Sequence, residues 1–166
     1  MGTSKRRNAL ARGSVEPLDA RAARVFALDA LARRDYASED LRLKLIEKGY
    51  DATVVAPLLD ALRAEKLLDD RRYMENFVTF HAARGQGPLR VRSDLSRHGL
   101  WGEDVEAYLA AYPDWLEHLS RARQKKFGTQ LPKNYADRQR QARFLSYRGF
   151  TSAQIRMALG FDIELD

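Results

Sequence analysis

The 166-residue sequence contains no cysteine, which excludes disulfides and thiolate metal sites. No apolar run approaches the roughly twenty residues that span a bilayer, and the basic N-terminus lacks the apolar region of a signal peptide. A Walker-type lysine loop, a nucleophile elbow and an HExxH motif are also missing. His81, His98 and His118 stand 17 and 20 residues apart, which matches no helical metal pair. We therefore expect a cytoplasmic protein that is not an enzyme, with no active site, cofactor, metal or membrane partner.

The charges that are present have a basic balance. Twenty-nine Lys and Arg against 23 Asp and Glu leave a net charge of +6, while 45% hydrophobic content is that of a globular chain. A basic balance of this size favours polyanions as partners and says nothing about fold.

Glycine recurs every fifty residues, at Gly49, Gly99 and Gly149. Each glycine has a leucine four residues before it, a β-branched residue six after it and a leucine ten after it. These residues are Leu45, Leu95 and Leu145; Val55, Val105 and Ile155; and Leu59, Leu109 and Leu159. Such a period is typical of tandem-repeat proteins, which present an extended surface to a partner. The repeat therefore favours a binding protein.

Apolar residues recur at spacings of three and four throughout, which predicts helices rather than strands. We expect nine helices in three groups of three, with Val25, Phe80 and Leu116 among the apolar faces. Thr151 or Ser152 is expected to cap the last helix. The predicted boundaries are a flexible basic tail 1–18, three-helix repeats 19–66, 67–113 and 114–160, and an acidic tail 161–166. The fold class is thus all-α, as three tandem three-helix repeats.

An ordered series of residues runs through the second repeat. It comprises Leu67-Leu68-Asp69-Asp70, Tyr73, Phe77, Val78, Arg84, the segment from Gly85 to Val91, Leu95 and Arg97-His98-Gly99-Leu100. This series resembles the central region of the bacterial RecX regulatory proteins, and Leu41, Leu45, Lys48-Gly49-Tyr50 and Val55 to Leu62 resemble the family's first repeat. Lys66 departs from the family, which often has glycine there.

The resemblance implies an elongated, curved array of three three-helix repeats. It also implies binding to the RecA recombinase filament on DNA and inhibition of its ATP hydrolysis and strand exchange. The expected biological setting is recombination control, DNA repair and the SOS response.

Two basic groups are the candidate contact surfaces for a filament or for DNA. The span from Arg121 to Arg148 holds nine basic residues and one acid, Asp137. The second group surrounds a Gly85–Pro88 break, where a helix N-terminus with free N–H groups would lie beside arginines. The candidate binding residues are Arg84, Arg90, Arg92, Arg97, Lys125, Lys126, Arg138, Arg140 and Arg143. A solvated helix face without a partner is the alternative interpretation of the first group, and a turn that Gly87 and Pro88 merely shape is the alternative for the second.

Two other functions fit parts of the sequence. A helix-turn-helix DNA-binding regulator fits the short helices around each glycine turn, with Gln154 and Arg156 as the base readers. Against it, Glu103, Asp104 and Glu106 would repel phosphates in the second repeat. A purely structural scaffold is less consistent with the clustered basic residues. A monomer is expected because no coiled-coil heptad is visible.

Overall fold

The computed structural model describes residues 15–160, and within them the chain forms nine α-helices and no strand. The helices are α1 (Ala20–Arg33), α2 (Ser38–Lys48), α3 (Ala52–Ala64), α4 (Asp70–Ala83), α5 (Pro88–Arg97), α6 (Glu103–Ala111), α7 (Trp115–Phe127), α8 (Tyr135–Tyr147) and α9 (Ser152–Leu159). The predicted all-α repeat fold is confirmed. None of these helices has the length and apolar character that crossing a bilayer requires.

The helices pack in two compact units. Within the described residues, the first combines residues 15–34 with Leu41–Leu68, and the second combines Asp35–Asp40 with residues 69–160. In the first unit α1 packs against α3, and the buried residues include Ala23, Ala27 and Leu62. In the second unit α4 packs against α5 and α7, α5 against α6, and α7, α8 and α9 against one another.

The second unit has one apolar core drawn from all of its helices. Its buried members are Met74, Val78, Ala82, Val91, Leu95, Val105, Leu109, Trp115, Leu119, Ala142, Leu145, Phe150, Ile155 and Leu159. The second-unit members of the β-branched and leucine columns lie in this core, since Val105, Leu109, Ile155 and Leu159 are all buried. The residues that recur in the repeat are therefore those that pack the middle and last helices of each group together.

The three periodic glycines end α2, α5 and α8 in the same way. Their φ angles are +109°, +77° and +88°, a region that an L side chain rarely adopts. In each case the N–H of the residue after the glycine donates to the carbonyl of the leucine four residues before it, as in Leu100 to Leu95 at 3.1 Å. This is the Schellman arrangement of a helix end. Gly99 therefore ends α5 in a left-handed cap.

Side chains that accept hydrogen bonds from first-turn N–H groups begin several helices. Asp19, Asp51, Asp69, Asn134 and Thr151 hold this N-cap position. Thr151 forms a full capping box with Gln154, in the place where the sequence predicted a cap. These residues accept bonds that the first helical turn cannot make internally.

Three core predictions were wrong. Val25 is 64% exposed and Phe80 is 56% exposed, and Leu116 also lies at the surface. In α1 the buried face consists of Ala23, Ala27 and Ala30 instead. The apolar periodicity of the sequence predicted that Val25 is buried. In the structure α3 packs against another face of α1, where small alanine side chains fill the buried positions.

The predicted tails fall largely outside the described residues, which begin at Val15 and end at Gly160. The acidic tail 161–166 and residues 1–14 of the basic tail therefore stay predictions. Residues 15–18, assigned to the same tail, are described, and the Pro17 carbonyl accepts a hydrogen bond from the Asp51 N–H at 2.9 Å.

Candidate functional site

Two adjoining depressions in the second unit are lined by basic side chains and by no carboxylate. One, of about 320 Å³, is bordered by Arg84, Arg121, Lys125, Lys126 and Arg148. The other, of about 330 Å³, is bordered by Arg90, Arg148, Gln86, Phe144 and Tyr147. The two depressions share Phe144 and Arg148. We call this continuous surface the basic groove, and its six cationic residues are Arg84, Arg90, Arg121, Lys125, Lys126 and Arg148.

The basic groove exists because the turn before α5 touches the end of α8 backbone to backbone. The Gly87 N–H donates to the Arg148 carbonyl at 2.8 Å, and the Leu89 N–H donates to the Gly149 carbonyl at 2.9 Å. A Cβ at Gly87 would lie only 2.3 Å from the Gly149 carbonyl carbon. Glycine is therefore required for this approach, and the approach brings Arg148 onto one surface with Arg90 and Arg84, which precede it by 58 and 64 residues.

Aromatic faces hold two of these arginines. The Arg84 guanidinium lies 5.1 Å from the centre of the Phe80 ring, and that of Arg148 lies 5.3 Å from the Phe144 ring. Such cation–π contacts orient a guanidinium without neutralising its charge. Arg148 also donates from Nη1 to the Arg84 carbonyl at 3.3 Å. Phe80, which the apolar periodicity wrongly predicted to be buried, thus supports Arg84 at the surface.

Carboxylates oppose the basic groove only from its margins. The Arg90 Nε lies 3.8 Å from Asp94 Oδ2, a long ion pair, and Arg121 pairs with Glu117 one helical turn away. Each pair lies within a single helix and leaves its arginine side chain more than half exposed, so both guanidinium groups stay accessible to a ligand. Lysine and arginine side chains converging on one concave surface attract phosphate or carboxylate groups.

The structure divides the predicted binding residues into three sets. Arg84, Arg90, Lys125 and Lys126 line the basic groove. Arg92 and Arg97 lie elsewhere on α5, where Arg92 pairs with Glu106 at 2.9 Å and Arg97 with Asp94 at 3.3 Å.

The third set lies on α8, away from the groove lining. Arg140 pairs with Asp137 at 3.1 Å and covers the Phe127 ring at 5.5 Å. Arg143 is exposed and Arg138 is half-buried. The binding role of this set stays a prediction.

Arg123 is one of the nine basic residues between Arg121 and Arg148, and its assignment to a contact surface was wrong. Its side chain is buried, and the residue is only 4% exposed. Its guanidinium donates to the Gln130 and Thr129 carbonyls at 3.0 and 3.1 Å and to Gln141 Oε1 at 3.3 Å. Arg123 therefore anchors the long connection between α7 and α8 and is not available to a partner.

The proposed anion site at the N-terminus of α5 also needs correction. The N–H groups of Gly87 and Leu89 are bonded to the carbonyls of Arg148 and Gly149. The start of α5 is therefore used by the contact between repeats. Arg90, and not the backbone N–H groups of α5, borders the groove.

The repeat itself shows which arginines are unusual. We call the contact between the end of the middle helix of one repeat and the first turn of the middle helix of the preceding repeat a junction. Positions 40 and 98 lie at the first junction, and the fifty-residue repeat places positions 90 and 148 at the same points of the second. At the first junction Asp40 Oδ2 and His98 Nδ1 lie 2.8 Å apart, as a complementary pair. At the second junction two arginines occupy the same places. Opposed like charges do not stabilise a junction, so the second junction departs from the complementary pairing of the first.

Arg121 and Arg148 belong to the groove but were absent from the predicted site, although the basic span included both. The fifty-residue register could have identified Arg148, because it places that residue opposite Arg90. Arg121 reaches the groove through the packing of α7 against α4, which no local pattern reveals.

The histidines have structural partners. His81 Nδ1 lies 2.7 Å from Gln86 Oε1, and His118 Nε2 lies 3.3 Å from the Tyr112 hydroxyl. Among residues 15–160 no group of three or more His, Asp or Glu side chains is arranged to hold a metal ion.

Known proteins match this chain along most of its length. Family models described as "RecX, second three-helix domain" and "RecX, third three-helix domain" match residues 69–109 and 113–159. The Regulatory protein RecX of Halorhodospira halophila is 40% identical over 138 residues, which cover 82% of this chain and 86% of that protein. The protein of the same name from Pseudomonas savastanoi pv. phaseolicola is 42% identical over 130 residues, covering 78% and 84%.

Solved structures show the same fold. The crystal structure of RecX from Lactobacillus salivarius superposes with a TM-score of 0.74 at 19% identity and covers 86% of this chain and 95% of that one. A second crystal structure, of a regulatory protein RecX, gives a TM-score of 0.69 at 23% identity, with 86% and 72% covered. With two domain models matched and relatives of about 40% identity aligned over most of its length, the chain belongs to the RecX family of regulatory proteins.

Proposed function

We propose that this protein binds the RecA recombinase filament on DNA and inhibits its ATP hydrolysis and strand exchange in the cytoplasm. Membership in the RecX family supports regulation of the recombinase. The observation that carries the proposal is the basic groove, in which six cations and no carboxylate line one concave surface. A nucleoprotein filament offers such a surface phosphates and acidic side chains.

In this proposal Arg90 and Arg148 make the central contact. They replace the Asp40–His98 pair of the preceding junction, and the backbone contact at Gly87 holds them together. Arg84, Lys125 and Lys126 extend the contact along the phosphate backbone. Binding there would compete with duplex DNA or restrain the subunit motion that ATP hydrolysis requires.

A matched pair of double variants tests the role of the groove. Arg90→Gln with Arg148→Gln removes two charges inside it, whereas Arg92→Gln with Arg97→Gln removes two charges outside it. Binding to filaments assembled on single-stranded DNA is measured across a salt series. We expect the groove variant to bind more weakly and to lose about 0.7–0.9 of the log–log salt slope per phosphate contact removed. The control variant should keep both affinity and slope to within the change expected from net charge alone.

Equal behaviour of the two double variants would contradict the groove as the contact surface. A separate measurement of binding to duplex DNA without any recombinase tests the helix-turn-helix alternative, which sequence-specific binding would favour. The geometry does not favour that alternative. The side chain of Gln154, one of its two readers, is engaged by the Thr151 N–H in the capping box.

A further inference from the structure

A second surface of the same unit has the opposite character and surrounds Trp101. This side chain is 78% exposed and borders a groove of about 480 Å³ between α4 and α6. Met74, Leu100, Val105 and Tyr108 contribute apolar lining. We call this surface the Trp101 groove. A large exposed tryptophan beside an apolar cleft is uncommon on a surface that serves only as a solvated face.

Comparison of the repeats shows that Trp101 replaces a structural residue. The positions fifty residues before and after it are Asp51 and Thr151, which cap α3 and α9 with their side chains. At Trp101 this cap is absent, and α6 begins one residue later at a Gly102 N-cap that has no side-chain bond. The second repeat thus has an exposed indole at the position where the other two repeats have a helix-capping side chain. A local rule broken without a compensating contact points to a function for the residue that breaks it.

The rim of the Trp101 groove is acidic in a chain of net charge +6. Asp70 and Asp104 border it, and Glu103 shares the first turn of α6 with Asp104. Asp70 Oδ1 also accepts from the Ser38 N–H at 2.7 Å, and Glu106, in the same turn of α6, is paired with Arg92. Arg71 is the basic residue among the lining side chains, and its Nε donates to Glu75 Oε1 at 3.0 Å. Carboxylates around an apolar floor repel phosphates and complement lysine or arginine.

We propose that the Trp101 groove binds a protein segment that presents an apolar side chain next to a lysine or arginine. The inference rests on the proposed function in taking the recombinase as the source of that segment. Tryptophan is the residue type most often found at the energetic centre of protein interfaces, where its large ring is desolvated at low entropic cost. The basic groove would then contact phosphates while the Trp101 groove contacts protein.

The placement of the two grooves on α4 suits this division. Arg71 borders the Trp101 groove near the start of the helix, and Arg84 borders the basic groove just past its end. At 1.5 Å per residue, the two positions lie about 20 Å apart along the helix axis. One helix thus holds a surface for protein and a surface for phosphates at a fixed separation.

The test restores the cap that the other repeats have. Trp101→Thr with Gly102→Ser copies the Thr151-Ser152 sequence of the third repeat, so the melting temperature should equal that of the wild type or exceed it by a few degrees. Met157→Gln, at another exposed apolar residue of the unit, is the control. Binding is measured on an immobilised single-stranded oligonucleotide with and without the recombinase.

We expect the Trp101→Thr/Gly102→Ser variant to bind the filament at least tenfold more weakly, while its binding to the free oligonucleotide and the behaviour of Met157→Gln stay within twofold of wild type. Asp104→Asn should weaken filament binding more at low salt than at high salt. Filament affinity within twofold of wild type in the restored-cap variant would overturn the inference and leave the proposed function intact. Failure of the wild-type protein to bind the filament would overturn both.

The absence of cysteine allows a direct second readout. Ala107 borders the Trp101 groove and is exposed, so an Ala107→Cys variant can carry an environment-sensitive dye at that single site. Filament addition should shift the dye emission to shorter wavelength, and the free oligonucleotide should not. An unchanged emission on filament binding would contradict the assignment.

Discussion

Replacing Gly87 by alanine tests whether the contact between α5 and α8 builds the basic groove. The φ angle of Gly87 is −86°, so alanine meets no backbone strain there. Its Cβ would instead lie 2.3 Å from the Gly149 carbonyl carbon and from the Phe150 nitrogen. These are backbone atoms, so the clash can be relieved only by separating the two segments.

The expected loss follows from what that separation breaks. Overpacking costs about 1–3 kcal/mol, and each of the two hydrogen bonds, from the Gly87 and Leu89 N–H groups, contributes about 0.5–1.5 kcal/mol. We therefore expect the free energy of unfolding to fall by about 2–6 kcal/mol. A domain has only about 5–15 kcal/mol in total, so the effect is readily measured.

Urea unfolding followed by tryptophan fluorescence is the appropriate assay. Trp115 is buried in the second unit, and its Nε1 donates to the Leu109 carbonyl at 2.8 Å, so its emission reports on this unit. Ser93→Ala, on an exposed position of α5, is the control and should change stability by less than about 0.5 kcal/mol. A Gly87→Ala protein as stable as this control would refute the steric reasoning. The Gly87→Ala protein should also bind phosphate groups more weakly than the wild type, because the same contact positions Arg90 and Arg148.

Three further predictions concern residues outside the grooves or at their supports. Arg123→Met should lower the free energy of unfolding by at least about 2 kcal/mol, because it leaves the Thr129 and Gln130 carbonyls without their donor, whereas Arg121→Met should change it by less than about 0.5 kcal/mol; equal urea midpoints would contradict the anchoring role. Lys66 has a φ of +59°, so Lys66→Gly should stabilise the protein by up to about 1 kcal/mol, and a loss of stability would show that the lysine is not strained. The hydroxyl and N–H of Thr53 hold the pKa of Asp51 below its ordinary value, so the stability contributed by Asp51 is complete above a pH of about 4 and is lost as the pH falls through the lower folded-state pKa. Asp51→Asn keeps a capping side chain without this titration, so its melting temperature should decline less steeply below pH 4 than that of the wild type; parallel curves would count against the linkage.

Local rules account for the parts of the fold that the sequence predicted well. The glycine at each fifty-residue step marks a left-handed helix end, and the leucine before it accepts the closing hydrogen bond. Capping residues such as Thr151 identify helix starts for the same reason, since both signals depend only on neighbours in the chain. Lys66 is an exception to this rule. It is a lysine with a positive φ, at a position where the family often has glycine.

The candidate site depends on contacts between distant residues, and here sequence patterns were insufficient. Arg84 and Lys125 both stand in basic clusters, yet only the packing of α4 against α7 brings them to one groove. Arg123 has the same local surroundings as Lys125, but its helical position turns it inward to the connection before α8. Charge counts cannot distinguish these two residues, because the distinction is made by burial.

The repeats also show how one architecture carries two kinds of junction. Gly99 and Gly149 each bring the end of one helix against the first turn of an earlier one, near Glu39 and Arg90 respectively. The backbone arrangement is shared, while the side chains beside it differ. Asp40 and His98 pair at the first junction, whereas Arg90 and Arg148 line one depression at the second. The surfaces proposed to bind a partner therefore lie where the repeats differ from one another.

The most direct test of the central claim is DNA-dependent ATP hydrolysis by the cognate RecA while this protein is titrated in. We expect inhibition at amounts at or below one molecule per recombinase subunit, with the Arg90→Gln/Arg148→Gln variant requiring a higher concentration than Arg92→Gln/Arg97→Gln. Hydrolysis that continues unchanged at saturating wild-type protein would contradict the claim.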